Sequence, residues 1–355
     1  MPSGSQDDRT LARRLKHGVA TTVRSMPKGF RERVANLVLP ADERPATGQA
    51  ALPADASPEV IRRGAEIPFE VWEQHGWHLT SNHFYSVIPD TRVLPDSLWT
   101  TESELPGIDM RDEAQLAFLA DAAGRFGTEL NALPRRQEDA GPGRYFVDNG
   151  AFESVDAEAL HSMVRMHKPA RLVEIGSGWS TLVSMAALDL NKAEGSPGTL
   201  TAIEPYPHAF VKDAITAHAD ATLVDEQVQG VPMDTFSSLG ENDILFIDSS
   251  HVLKIGSDVQ YEFLEVLPRL RPGVLVHVHD IFLPGEYPKD WVYGAEHRFW
   301  NEQYLLQAFL TDNAHVEVVW ASNWMHRRHP DELEKALDSY DRTTRFPGSF
   351  WFRRV

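Results

Sequence analysis

Residues 173–181 read Val-Glu-Ile-Gly-Ser-Gly-Trp-Ser-Thr, and this stretch decides the fold. An apolar run carries the acid Glu174 near its end and is followed by Gly176 and Gly178, after which helical spacing begins. Glycines at such a point allow a tight turn and a close approach of a ligand to the main chain. The stretch therefore predicts a strand that turns into a helix with a ligand held at the turn. A Gly-x-Gly pair alone is weak evidence, because many helices begin this way.

A second acid follows the next predicted strand. Residues 201–205 read Thr-Ala-Ile-Glu-Pro, which places Glu204 about 26 residues after Gly178. An acid there can accept hydrogen bonds from two ribose hydroxyls in the crevice between the first two strands. A dinucleotide-binding chain carries a third glycine, which residues 176–181 lack. Glu174 would repel a pyrophosphate but suits a cationic amine or sulfonium, so the charges favour S-adenosylmethionine (SAM) over a nicotinamide cofactor.

Short apolar runs alternate with segments of helical spacing from residue 154 onward. This alternation predicts an α/β fold: a Rossmann-like, doubly wound, mostly parallel seven-stranded sheet with an antiparallel C-terminal strand and an N-terminal accessory region. We expect the last two strands to pair antiparallel, because no crossover helix follows the final one. The predicted strands are 171–175, 199–203, 222–224, 243–247, 273–278, 315–320 and 349–353. The predicted helices are 154–167, 179–191, 207–218, 256–270 and 300–312.

Three regions are predicted along the chain. Residues 1–58 form a basic tail, with a helix near 10–38 broken at 27–29, and a Pro/Ala-rich linker. The first 40 residues carry eight Lys and Arg against three acids, so a segment that meets an anionic surface is the alternative to a simple tail. Residues 59–148 form an accessory region that covers the substrate, with a helix at 112–126. Residues 149–355 form the catalytic domain.

Composition narrows the class of partner. The 355-residue chain carries a formal net charge of −18, which disfavours binding to nucleic acid. It has no cysteine, which excludes disulfides and thiolate chemistry. No apolar run approaches the roughly 20 residues that a membrane helix needs, and no secretory signal is recognisable. We therefore expect a cytoplasmic protein with no transmembrane segment, whose partner is a small molecule or a glycan; a homo-oligomer stays open.

Together these motifs resemble the class I SAM-dependent methyltransferases. The stretches Asp-Ile-Leu-Phe-Ile-Asp-Ser-Ser-His at 243–251 and Pro-Arg-Leu-Arg-Pro-Gly-Val-Leu-Val-His-Val-His-Asp at 268–280 look like the fourth and fifth strands of that fold. More narrowly, residues 145–355 resemble the metal-assisted O-methyltransferases, including those that act on natural-product sugars. The resemblance implies transfer of a methyl group from SAM to a hydroxyl of a small molecule or glycan, assisted by a divalent metal such as Mg²⁺ and by a histidine base.

The resemblance also implies roles for the residues of the first two strands and the residues after the third. Glu174 would lie near the methionyl amine of SAM, and Glu204 would hold the ribose. Gln229, or its neighbour Gln227, would lie near the adenine. The remaining cofactor positions are those at the first turn and at the end of strand four, namely Gly176, Ser177, Gly178 and Asp248.

Strands four and five would supply the catalytic groups, namely His251, Asp248 and His279. The resemblance places metal ligands at Asp248, His279 and Asp280, and a general base at His251. A histidine at position 279 departs from the oxygen ligand expected there, and Mg²⁺ prefers oxygen ligands. Either the ion tolerates imidazole, or it is a transition metal, or no metal binds. A structural, helix-capping histidine is the alternative interpretation of His251.

A Pro/Gly-rich loop at 281–288 follows these residues and is expected to cover the acceptor. Tyr287 and Trp291 could stack on a sugar or an aromatic acceptor, whereas Trp300 and Tyr304 are better interpreted as the inner face of a helix. The alternative functions are methyl transfer to a carboxylate or amine and a non-catalytic SAM-binding subunit. A nicotinamide oxidoreductase is disfavoured by the missing third glycine.

Overall fold

The computed structural model describes residues 58–295 and 297–355. The predictions for residues 1–57, a basic helix and a linker, lie outside the described residues. The chain divides into two units: the smaller comprises the residues up to Leu98 together with Pro288–Phe299, and the larger comprises Trp99–Tyr287 together with Trp300–Val355. No helix in the described ranges is long and apolar enough to cross a membrane.

The larger unit is built on one seven-stranded sheet with the order β3-β2-β1-β4-β5-β7-β6. Neighbouring strands among β1 to β5 pair in parallel, whereas β7 runs antiparallel to both β5 and β6. The predicted doubly wound sheet with an antiparallel C-terminal strand is therefore confirmed. The strands are β1 (Arg171–Ile175), β2 (Thr199–Ile203), β3 (Ala221–Val224), β4 (Ile244–Ile247), β5 (Leu275–Val278), β6 (Val316–Ala321) and β7 (Phe350–Arg354).

Helices cover both faces of this sheet and also occur in the smaller unit. The smaller unit holds α1 (Pro58–Glu66), α2 (Phe69–Gln74) and α10 (Lys289–Tyr293). The larger unit holds α3 (Asp112–Asn131), α4 (Gln137–Ala140), α5 (Asp156–His167), α6 (Trp179–Ala193), α7 (Ala209–Ala217), α8 (Asp234–Ser237), α9 (Asp258–Tyr261), α11 (Glu302–Leu310), α12 (Ser322–Arg328) and α13 (Pro330–Ala336).

The helices differ from the prediction in two parts of the chain, at 256–270 and between β6 and β7. The single helix predicted at 256–270 is instead the short α9 followed by a π-helical segment, Glu262–Val266, and a 3₁₀ turn, Leu267–Arg269. The proline at position 268 disfavours a continuous helix, because it lacks an N–H donor. Helices α12 and α13, between β6 and β7, were not predicted at all.

The core consists of two apolar clusters, one on each face of the sheet. Along β1, Leu172 belongs to the first cluster and Val173 to the second, and Phe246 and Leu245 alternate in the same way along β4. This period of two is what a strand buried on both faces requires. The alternation brings Glu174 onto the face of the first cluster, beneath the glycine turn.

Helix α3 packs into the core of the sheet domain rather than into a separate accessory region. Its residues Leu119, Phe126 and Leu130 lie in the same cluster as Leu160 of α5. The compact units divide at residue 98, so the predicted boundary at residue 149 does not coincide with them. Helical periodicity indicates that α3 has an apolar face, but it does not identify what that face packs against.

Candidate active site

The carboxyl ends of four adjacent strands carry most of the predicted site residues. The sheet order places β2, β1, β4 and β5 side by side, with the reversal of strand order between β1 and β4. In open α/β sheets, ligands bind at such a reversal, outside the carboxyl ends of the strands. The turns that leave these strands are therefore the place to look for a cofactor and an acceptor.

The turn after β1 requires glycine at its first position. Gly176 has φ +82°, and a Cβ added there would lie 1.8 Å from the carbonyl oxygen of Asp248. Its N–H donates to the carbonyl of Ile203, so the turn is tied to both neighbouring strands. A Cβ added to Gly178 would meet no atom within 4 Å, and the Gly178 N–H donates to Thr181 Oγ1. The first glycine is thus fixed by packing, and the second leaves open space.

Glu204 lies in the crevice between β1 and β2. Its Oε2 accepts the N–H of Ser177 at 3.3 Å, and its Oε1 accepts the N–H of Tyr206 at 2.7 Å. These two bonds hold the carboxylate next to the glycine turn. Gln229 is exposed in the segment after β3, and its amide nitrogen donates to the carbonyl of Gly256 at 3.0 Å.

Glu174 is a fully buried acid beneath the same turn. Its Oε1 accepts the hydroxyl of Ser180 at 2.5 Å, and its Oε2 has no hydrogen-bond partner among the described residues. Burial raises the pKa of Glu174 to about 8, in spite of the hydrogen bonds from Ser180 and Thr181, and the nearby charges of Asp248 and Glu204 add to the rise. A buried carboxyl with one unused oxygen is suited to a cationic partner.

Asp248, His251 and Asp280 form a cluster at the ends of β4 and β5. One donor atom from each residue lies within 4.8 Å of the other two. His251 Nε2 is 3.2 Å from Asp248 Oδ1 and 3.8 Å from Asp280 Oδ2. The other ring nitrogen, Nδ1, is 2.9 Å from Oε2 of the buried Glu302. The histidine ring is therefore surrounded by three carboxylates.

Two residues of this cluster adopt a backbone conformation that is uncommon outside glycine. His251 has φ +59° and Asp280 has φ +54°. Gly348, in the segment before β7, packs so closely that a Cβ added there would lie 3.0 Å from Asp280 Cα. Left-handed conformations of this kind persist only where the surroundings hold them, and they are frequent at functional sites.

The charges around His251 determine its protonation. Burial by itself would lower the pKa of His251, but the hydrogen bonds and charges of Asp248 and Glu302 outweigh burial and raise it well above 6.5. The carboxylates of Asp248 and Glu302 therefore favour the positively charged form of the His251 ring.

His279 lies beside the cluster rather than within it. Its Nε2 is 3.7 Å from Asp280 Oδ1, and its ring packs against Phe152 and His277 at centroid distances of 5.1 and 5.5 Å. Its Nδ1 is buried with no hydrogen-bond partner in the described ranges. Of the predicted metal ligands, the structure thus brings Asp248 and Asp280 together, and the nitrogen donor grouped with them is that of His251.

The predicted acceptor residues lie in different environments. Tyr287 is only 4 % exposed, and its hydroxyl accepts the N–H of Gln303 at 3.0 Å, so the hydroxyl is already used in packing. Trp291 lies in α10 of the smaller unit, where the guanidinium of Arg298 is 4.8 Å from its ring. The interpretation of Trp300 and Tyr304 as an inner helix face is wrong. Trp300 precedes α11 and lies 4.3 Å from the ring of His251, and Tyr304 is 48 % exposed.

Glu302 was not identified from the sequence. It is the first residue of α11, and acids are common in the first turn of a helix because they favour the helix dipole. Nothing local distinguishes it from such an acid, since its partner His251 is 51 positions away. A catalytic histidine often has a carboxylate partner, but the sequence contains 52 Asp and Glu residues and does not indicate which of them contacts His251.

The family model described as a methyltransferase domain matches residues 173–281, which contain the end of β1, all of β2 to β5, and Asp248, His251 and Asp280. Residues 173–281 therefore form a methyltransferase domain, and this domain together with the seven-stranded sheet supports a class I SAM-dependent methyltransferase. It is also 34 % identical over 189 residues to a protein of Archaeoglobus fulgidus known only as an uncharacterized protein, a match that covers 52 % of this chain and 81 % of that protein.

Several solved structures are similar to this chain at a low level. CmcI bound to S-adenosylhomocysteine (SAH) is 17 % identical with a TM-score of 0.31, and the match covers 57 % of this chain and 78 % of that one. CmcI with Mg and SAM is 16 % identical with a TM-score of 0.29, over 57 % and 72 % of the two chains. The CMeT domain of the citrinin polyketide synthase is 11 % identical with a TM-score of 0.37, over 69 % and 67 %. Because these TM-scores are low, the assignment rests on the family model and the sheet.

Proposed function

We propose that this methyltransferase acts on a hydroxyl oxygen of a small molecule or glycan, with His251 as the base. The observation that carries the proposal is the position of His251 Nε2, which faces Asp248 and Asp280 at the strand ends while Nδ1 contacts Glu302. In the reaction the bond from sulfur to the methyl carbon breaks and a bond from oxygen to that carbon forms. The hydroxyl proton passes to His251 Nε2, and SAH is released.

The residues of β1 and β2 would bind SAM. Glu174 has an unused buried oxygen and suits the ammonium group, and Glu204 is held where it can accept the ribose hydroxyls. Gly176, Ser177 and Gly178 would line the methionine part, and Gln229 would lie near the adenine. SAM also carries a sulfonium, and a positive charge brought to these strand ends would lower the pKa of His251 and free Nε2 to accept a proton.

The donor set fits a divalent metal. Metal–ligand bonds of roughly 2.0–2.2 Å place neighbouring donor atoms about 3 Å apart, and Asp248 and Asp280 lie at the same strand ends. In the proposal these two carboxylates hold the ion, with His279 as the third ligand, because His251 Nε2 cannot both bind a metal and accept a proton. A bound cation would lower the pKa of the acceptor hydroxyl. A nitrogen ligand favours Mn²⁺ or another transition metal over Mg²⁺.

The remaining parts of the proposal concern the acceptor and the location. Tyr287, in the larger unit, is proposed to border the acceptor. The roles predicted for Trp291 and for residues 59–148 stay predictions. The protein is proposed to act in the cytoplasm. A carboxylate or amine acceptor and a non-catalytic SAM-binding subunit are the competing functions.

Two measurements test the proposal in sequence. SAM and SAH should raise the melting temperature, since a ligand at about 100 times its Kd adds roughly 2.7 kcal/mol to the free energy of unfolding, and NAD should not. Methyl-labelled SAM is then incubated with matched hydroxyl, amine and carboxylate compounds. Labelled ether products support methylation of a hydroxyl, whereas labelled amines or methyl esters alone would overturn the proposed hydroxyl acceptor.

Chelation tests the metal separately. We expect thorough chelation to abolish methyl transfer while SAM still raises the melting temperature, and added Mn²⁺ or Mg²⁺ to restore transfer. An unchanged rate after chelation would remove the metal from the proposal and leave His251 as a base that acts alone.

A further inference from the structure

We infer that Glu302 is a positioning residue that fixes the ring orientation and the tautomer of His251. This inference rests on the proposed role of His251 as the base. It adds to the reaction a residue that neither the motifs nor the comparisons single out. Three sets of contacts from the beginning of α11 support it.

The first contact is between side chains. Glu302 Oε2 lies 2.9 Å from His251 Nδ1, and the Glu302 side chain is fully buried. Burial raises the pKa of Glu302, whereas the hydrogen bond and the charge of His251 favour its ionised form. An ionised carboxylate can only accept a hydrogen bond, so in that form of the pair Nδ1 carries the proton. The other nitrogen, Nε2, is then the atom that faces Asp248 and Asp280.

The second set of contacts is made by the main chain. The N–H groups of Asn301 and Glu302 donate to the carbonyl of His251 at 3.1 and 3.3 Å. The side-chain oxygen of Asn301 also accepts the N–H of Leu253 at 2.6 Å. These bonds hold the backbone of His251 in its left-handed conformation of φ +59°.

The third contact is aromatic. The ring of Trp300 lies 4.3 Å from the ring of His251, with an angle of 34° between the two planes. Residues 300, 301 and 302 therefore contact the ring, the carbonyl group and Nδ1 of a single histidine. Three consecutive residues that each contact a different part of His251 leave its ring little freedom to rotate.

The chemical consequence concerns the charge that develops on the ring. When Nε2 accepts a proton from the acceptor, the imidazole becomes a cation. A carboxylate on Nδ1 stabilises that cation and excludes the tautomer in which Nε2 is already protonated. Such a partner costs about 10- to 100-fold in activity when it is removed, even though it does not touch the substrate.

The first test reads the ring of His251 directly and needs no acceptor. The full-length, ligand-free protein is labelled with ¹⁵N-histidine, and His251 is assigned among the 15 histidines by comparison with His251→Ala. We expect Glu302→Leu to move both ring ¹⁵N resonances strongly and Glu302→Gln to move them less, because the amide oxygen can still accept from Nδ1. Glu158→Gln is the matched control, because Glu158 is also a fully buried acid but is bonded to Ser339. Ring resonances of His251 that are unchanged in Glu302→Leu would overturn the inference.

The second test uses turnover with whichever hydroxyl compound accepts the label. We expect kcat to fall about 10- to 100-fold in Glu302→Leu and less in Glu302→Gln, with the Kd for SAM unchanged. If His251→Ala keeps full turnover while Glu302→Leu still shifts the ring, the proposed function fails and the contact stands. If His251→Ala is inactive but Glu302→Leu is normal in both tests, the function stands and the role of Glu302 is refuted.

Discussion

Two groups of residues lie at the carboxyl edge of the sheet, one at the ends of β1 and β2 and one beyond β4 and β5. They differ in how far apart their members lie in the sequence and in the chemical groups that they present. The first group is proposed to bind the cofactor and is called the cofactor half; it consists of Glu174, Gly176–Gly178 and Glu204, which lie within one strand–helix–strand unit. The second group is proposed to act on the acceptor and is called the acceptor half; it consists of Asp248, His251, Asp280 and Glu302, which come from three separate parts of the chain. The cofactor half presents main-chain groups and two acids, whereas the acceptor half presents a histidine among carboxylates.

This difference has a physical reason. Every enzyme of the class binds the same cofactor, so a glycine turn and an acid at fixed spacing are sufficient for the cofactor half. The acceptor half must orient a particular molecule and move a proton, which requires side chains held from several directions. His251 and Asp280 accordingly have left-handed backbones that their neighbours hold in place. If the two halves are functionally separate, changes in the acceptor half should alter turnover, and changes in the cofactor half should alter SAM binding.

The largest effect is expected in the acceptor half. His251→Ala should lower kcat by about 10²- to 10⁴-fold, the usual loss when a general base is removed. The Kd for SAM, measured by calorimetry, should stay the same because His251 is not in the cofactor half. His315→Ala, at an exposed histidine of the same unit, is the control and should be active. A matching loss of SAM affinity in His251→Ala would break the separation between the two halves.

Gly176→Ala should affect both halves, because Gly176 lies in the turn of the cofactor half and packs against the main chain of Asp248 in the acceptor half. Its added Cβ would lie 1.8 Å from the carbonyl oxygen of Asp248. Overpacking of this kind costs about 1–3 kcal/mol, and the left-handed φ adds about 1–2 kcal/mol more. The melting temperature and SAM affinity should both fall. Gly195 has a similar φ of +85°, but a Cβ added there would meet no atom within 4 Å. Gly195→Ala therefore measures the cost of the backbone strain alone, without the steric clash. Equal losses in the two variants would show that the contact with Asp248 is unimportant.

A smaller effect, confined to the cofactor half, is expected from Glu204→Ala. Loss of a charged hydrogen bond to the ribose costs about 1.5–3 kcal/mol, which raises the Kd for SAM about 10- to 150-fold. At saturating SAM the variant should turn over nearly as fast as the unmodified protein. Asp213→Ala, at an exposed acid on α7, controls for the change in net charge. An unchanged Kd in a folded Glu204→Ala protein would refute the ribose role.

The same division explains how much of the site could be predicted from the sequence. The bounds of β1 and β2 were predicted residue for residue, and Glu204 was found beside the turn as expected. These features are local, because a strand, a turn and an acid at its end lie close together in sequence. The doubly wound, mostly parallel character of the sheet followed from the alternation of strands and helices, whereas the order of the strands was not predicted.

Long-range features could not be predicted in this way. Glu302 contacts His251 across 51 positions, and no periodicity connects the two residues. The helices α12 and α13 lie between β6 and β7, where no element was predicted. The place of His279 beside the cluster depends on how Phe152 and His277 pack, which spacing along one strand does not encode. The metal ligands and acceptor residues therefore stay predictions.

The effect expected from Glu174 is graded and appears as a dependence on pH. Burial raises the pKa of Glu174 to about 8 from an ordinary value of 4.5, so between these pH values the folded protein keeps a proton that the unfolded chain has lost. The stability that this group contributes is therefore fully present below pH 4.5 and is lost as the pH rises toward 8, by at most about 1.4 kcal/mol per pH unit. Glu174→Gln cannot titrate at this position, so the free energy of unfolding of this variant, measured by chemical denaturation, should fall less steeply between pH 4.5 and 8.

SAM affinity should change with pH in the opposite direction in the unmodified protein, because ionised Glu174 pairs with the ammonium of SAM and becomes more abundant as the pH rises. That slope should vanish in Glu174→Gln and persist in Glu226→Gln, at an exposed acid after β3. Identical pH slopes for SAM binding in the unmodified protein and in Glu174→Gln would place the ammonium elsewhere and leave Glu174 as a structural acid beneath the turn.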